Sequence, residues 1–170
     1  MKLTAIFLSA ALIPSMATAT TTQCESNKYH QYVDASLVWY QNLVDLAIKH
    51  DPSLKEVGNW FLEGRKHHFE FNRQAVDWYL ENDKDKLALN QSVESWLQLT
   101  QQDIKKLSAQ DTALGKTAKI AFDDRQDKPH PKNYDLRSTF AGLLTNPKDI
   151  EGPLTQYNAA ITAISDISCQ

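Results

Sequence analysis

Along most of this chain apolar positions recur at steps of three and four, and no stretch alternates β-branched and polar residues over a strand's length. The pattern is densest over 52–81. There Leu54, Val57, Phe61, Gly64, His68, Phe71, Ala75 and Trp78 mark the inward stripe of a long amphipathic helix. Trp60, Leu62, Phe69, Val76, Tyr79 and Leu80 widen the apolar arc, so this helix is expected to touch more than one neighbour. The opposite face carries Glu63–Lys66, Lys66–Glu70, Glu70–Arg73 and Arg73–Asp77, pairs of opposite sign at helical spacing. Each contributes only about 0.2–0.5 kcal/mol, which describes a solvated face. Asp51-Pro52 starts the helix: a side-chain acceptor precedes a proline whose missing N–H costs nothing in the first turn.

The same reading predicts a first helix over 26–49, with Tyr29, Val33, Leu37, Tyr40, Leu43, Val44 and Ala47 inward. Asn82-Asp83 breaks the chain, and Leu89, Val93, Trp96, Leu97, Thr100, Ile104 and Leu107 predict a third helix over 89–107. Asp111 is placed as the cap of a shorter helix over 112–124. The run 126–133 is the clearest loop, because Pro129 and Pro131 bracket His130 and favour an extended, exposed segment. A short helix over 135–144 and a closing helix over 150–168 follow, the latter becoming regular at Gly152-Pro153. Connections this short make neighbours antiparallel. The predicted fold is all-α: an antiparallel four-helix-bundle-like domain with one or two additional short helices.

The N-terminal stretch 1–19 has Lys2, an apolar run over 3–14, and then Ala17-Thr18-Ala19, the pattern of a cleaved export leader. The run is too short for a stable membrane span. The expected product is a single domain over 20–170, in the periplasm or secreted. Its two cysteines, Cys24 and Cys169, would meet an oxidising environment, so a disulfide joining the termini is expected. A formal net charge of -3 argues against a nucleic-acid partner. Met1 and Met16, the only methionines, both lie in the leader, which removes methionine-ligated haem or copper from the expected product.

Candidate chemistry is sparse. His67-His68 is the most conspicuous feature: Glu63 and Glu70 lie one helical turn to either side of His67, so these side chains converge on one face. A metal would need further ligands from another helix, such as His30 or Asp34. The plainer expectation makes His67 a partner of Glu63 and Glu70, and His68 a hydrogen-bonded core residue. Gly115-Lys116-Thr117 resembles the end of a phosphate-binding loop, but Gln110 stands where that loop needs glycine and no strand precedes it. Glu-x-x-His, H-E-x-x-H, C-x-x-C-H and G-x-S-x-G are all absent. Among four tryptophans, Trp39 and Trp60 fall off their main stripes and are candidate partner contacts, as is His130 in its loop. These features point to a non-enzymatic protein without a cofactor. It would bind another envelope or secreted protein, as an inhibitor, immunity-type or accessory factor does. The alternative is a bundle holding a metal or small cofactor through His67 and His68, with Glu63 and Glu70.

Overall fold

Capping and proline chemistry set the first reversal of the chain. The computed structural model describes residues 16–169. Helix α1 spans Met16–His50 and α2 spans Lys55–Asn82. Between them Asp51 accepts a hydrogen bond from the Ser53 amide at 2.9 Å, and Pro52 opens a single 3₁₀ turn, Pro52–Leu54. Gly58 lets the two antiparallel helices close up, since a Cβ there would lie 2.8 Å from Val44 Cγ1. Of the expected leader, positions up to 15 lie outside the described residues, and 16–19 form the first turn of α1.

The helix predicted over 89–107 is the main correction. Residues 83–100 form an irregular segment with two 3₁₀ turns, Lys84–Lys86 and Val93–Ser95, and regular structure returns only in α3, Gln101–Ser108. The backbone here pairs with itself: Leu87 bridges Leu97, the Ala88 amide donates to the Trp96 carbonyl at 2.9 Å, and Trp96 Nε1 donates to the Gln91 carbonyl at 3.1 Å. Leu87, Val93 and Trp96 are buried all the same. Tertiary burial, with Trp96 stacked on Tyr29, outweighs a weak local helix preference around Asn90-Gln91-Ser92. Thr100, read as mid-helix, is instead the N-cap of α3, in a full capping box with Asp103.

Helix α4 spans Ala113–Gln126 and is capped by Thr112 rather than Asp111, its Oγ1 accepting from the Gly115 amide at 2.9 Å. Helix α5 spans Asn133–Thr145, and α6 spans Pro147–Ser165 with Pro153 inside it, so the last helix is regular earlier than expected.

Among the described residues the fold is thus all-α and bundle-like, with six α-helices. Helix α2 packs against α1, α4 and α5, while α6 runs back along α1. One apolar cluster joins α1 and α2 near their turn to Leu136, Phe140, Leu143 and Ile150. A second joins Tyr29, Val33, Phe69 and Val76 to the irregular segment and Ile164. The third seats Phe71 and Ala75 of α2 against α3 and α4. Two expected inward positions of α2 face outward: Trp78 is 42% exposed, and a Cβ at Gly64 would meet nothing within 4 Å. The wide apolar arc is real, with Leu62, Phe69, Val76 and Leu80 buried. At the far end, a Cys24–Cys169 disulfide joins α1 to the tail after α6, with the Cα atoms 5.5 Å apart. Lys28 reinforces that closure, its Nζ donating to the carbonyls of Ser165 at 3.1 Å and Ile167 at 2.7 Å. No described helix is long and apolar enough to cross a membrane.

Candidate functional site

The adjacent histidines of α2 point to different neighbours, as successive positions on a helix must. His67 bridges helices: Nδ1 is 2.8 Å from Asp124 Oδ2 of α4, and Nε2 is 3.2 Å from Glu63 Oε1. Both ring nitrogens therefore face carboxylates. Glu70 does not join them; it accepts from Gln74 at 2.8 Å and lies 3.7 Å from Arg73. Asp123, beside Asp124, pairs with Lys119. Among the described residues no three His, Cys, Asp or Glu side chains come together as a metal-ligand set.

His68 turns the other way, into a cavity of about 280 Å³ walled by Tyr29, Tyr32, Arg65, Asn72 and Arg125, with Glu94 from the irregular segment. Arg125 Nη2 lies 3.2 Å from His68 Nδ1, and the Asn72 amide lies 3.2 Å from Nε2. Arginine can only donate, so Nδ1 accepts and the neutral ring carries its proton on Nε2, which donates to Asn72 when that carboxamide is turned to present its Oδ1. Burial, aided by the charges of Arg65 and Arg125, pushes the His68 pKa down to about 4. Arg125 is held by Gln101 Oε1 at 2.7 Å, and burial together with Arg65 lowers its own pKa. Arg65 lies over the rings of Phe61 at 5.5 Å and Tyr40 at 5.7 Å. Burial also raises the Tyr29 and Tyr32 phenols, so both stay protonated donors. The histidine was legible in the sequence; Arg65 stands one turn before it on the same helix and was not singled out, while Arg125 comes from α4, which spacing along α2 does not report.

Trp60 remains at the surface, 40% exposed, with its ring centroid 6.0 Å from that of His130. His130 is a correction to the exposed loop: its side chain is only 16% exposed, and its Nε2 lies 3.6 Å from Glu56. The loop folds back on itself. The Lys132 amide donates to His130 Nδ1 at 3.1 Å, the Asn133 amide donates to the His130 carbonyl at 2.8 Å, and Lys132 Nζ reaches Ser53 Oγ at 3.1 Å. Directly after this turn stands Tyr134, 80% exposed, which the sequence reading did not single out. Trp39 is half-buried against Tyr157 of α6, where Val38 and Pro153 complete a shallow groove.

His30 pairs with Asp77 of α2 rather than Asp34, its Nε2 lying 2.9 Å from Oδ2. Ser26 donates to Asp77 Oδ1 at 2.6 Å. A cleft of about 660 Å³ opens beside them. The trio has the residue types of a hydrolytic triad but not its wiring, because serine and aspartate both approach the same imidazole nitrogen and the hydroxyl is bonded to the carboxylate. It ties α1 to α2. Asp34 is engaged instead by Arg73.

No protein-family model, curated protein or solved structure matches this chain.

Proposed function

We propose that this is an exported, non-enzymatic protein of the periplasm that binds another envelope protein through the surface formed by Trp60, His130 and Tyr134. The observation that carries the reading is Trp60, a large aromatic left 40% exposed beside a loop pinned by its own hydrogen bonds and by Lys132. Exposed tryptophan and tyrosine on a rigid support are the usual anchors of protein interfaces, and pinning in advance lowers the entropy lost on binding. Export is supported by the leader pattern of 1–19 and by the Cys24–Cys169 disulfide, a bond that persists in oxidising compartments.

A photo-crosslinking residue placed at 60, at 134 and at the exposed Lys116 position tests this in the living envelope. Discrete adducts to one polypeptide from 60 and 134, without one from 116, are expected. Equal labelling at all three positions, or none at 60 and 134, would refute the assignment.

The alternative of a small ligand at the paired histidines draws support only on the His68 side, from the cavity there. His67 offers a metal no free nitrogen in this arrangement.

A further inference from the structure

Among the described residues Lys66 has Glu63, Arg73 has Asp34 and Glu70, Lys84 has Glu25, and Lys119 has Asp123 as carboxylate partners. Arg65 and Arg125 have none. Among the described residues their partners are aromatic rings, the Gln101 carbonyl oxygen and a neutral histidine nitrogen. Both line the cavity at His68. Two like charges facing one concave, partly desolvated space repel each other, and an anion between them converts that repulsion into attraction.

We propose that this cavity is a binding site for a small oxyanion, a carboxylate- or phosphate-bearing molecule gripped between the Arg65 and Arg125 guanidinium groups. Arginine is the side chain suited to this, because its planar fork matches the oxygens of either group. Both forks are already oriented, Arg65 by Tyr40 and Phe61 and Arg125 by Gln101. Asn72 and the Tyr29 and Tyr32 phenols add neutral donors to the wall. A volume of about 280 Å³ sits at the small end of ligand pockets, which suits a molecule of few heavy atoms rather than a lipid. Of the groups facing His68, Arg65 of α2 and Arg125 of α4 are positive and the tyrosines of α1 are neutral. Among the described residues Glu94 is the one carboxylate in the lining, and its charge acts on the Tyr32 phenol. Trp60, His130 and Tyr134 are not in this wall, so the site stands apart from the partner surface and is tested separately.

The test is a nuclear magnetic resonance titration of the whole oxidised protein with inorganic phosphate and, separately, succinate, against chloride at matched ionic strength. Saturable shifts of the Arg65 and Arg125 Nε–H signals with one shared Kd are expected for at least one probe. Arg125→Lys keeps the charge and loses the fork, and should weaken that Kd by about tenfold or more; Arg65→Gln should do the same. Glu94→Gln should leave binding equal or tighter, and bound probe should raise the His68 pKa. Shifts that stay linear in concentration and match those of chloride up to about 10 mM probe would overturn the proposal. So would a Kd unchanged in both arginine variants when their circular dichroism matches the parent.

Discussion

Gly115→Ala is expected to destabilise this protein, although alanine is the better helix former. A Cβ built at Gly115 would lie 2.0 Å from the Gln110 carbonyl oxygen, 2.9 Å from its carbon and 3.1 Å from the Leu107 oxygen. Ordinary contact lies near ~3.5 Å, so the closest overlap is about 1.5 Å. The obstacle is backbone, not a side chain that can rotate away. Relief requires moving the first turn of α4 off the end of α3, which also pulls the Gly115 amide from Thr112 Oγ1. Overpacking costs about 1–3 kcal/mol, and a backbone clash belongs at the upper end; a lost cap adds about 1 kcal/mol. The propensity gain offsets at most ~1 kcal/mol, which leaves a net loss of about 2–3 kcal/mol. Gly64→Ala is the matched control. It sits inside α2 with open space around the new methyl, so it should stabilise by about 0.5–1 kcal/mol. Urea unfolding followed by far-ultraviolet circular dichroism reads both on one scale. Opposite signs are expected. A Gly115→Ala protein as stable as the parent would refute the close approach of α3 and α4, and with it the placement of Arg125 over Gln101.

Further outcomes follow from the same contacts. The Cys24–Cys169 bond closes a loop of sequence separation 145, so on the chain-entropy model Cys24→Ser with Cys169→Ser should lose up to about 5 kcal/mol of unfolding free energy. An unchanged urea midpoint would contradict this. His68 has its pKa lowered from 6.5 to about 4 by burial and by Arg65 and Arg125. The unfolded chain therefore takes up that proton first. The contribution is full above pH 6.5 and is lost as pH falls towards 4, a drop of roughly 3 kcal/mol. His68→Gln should flatten that limb; equal acid sensitivity in parent and variant would assign it to other groups.

The part of the fold legible in the sequence is the part punctuated by strong local signals. Asp51-Pro52 marks the α1–α2 reversal, and the terminal cysteines meet as their positions suggested. The segment 83–100 was misread because its apolar spacing suits a helix face and an irregular strap equally well. Leu87, Val93 and Trp96 reach the core from a backbone held by the Leu87–Leu97 bridge. The discriminating signal was Thr100-x-x-Asp103, a helix start inside the stretch assigned as helix. At the sites, His67–Glu63 and a core-facing His68 were readable from helical spacing, which reports neighbours along one helix. Asp124 opposite His67, Asp77 opposite His30 and Arg125 opposite Arg65 were not, because spacing carries no information about which helices pack together.

The partner-binding reading is tested most directly by native mass spectrometry of the protein isolated gently from its own envelope, as parent, Trp60→Ala and His67→Ala. The expected result is one defined polypeptide bound to the parent and to His67→Ala. It should be lost from Trp60→Ala, where removing an interface anchor weakens binding by about 2 kcal/mol or more, roughly thirtyfold. A parent protein that carries no polypeptide, or a complex indifferent to Trp60→Ala, would contradict it.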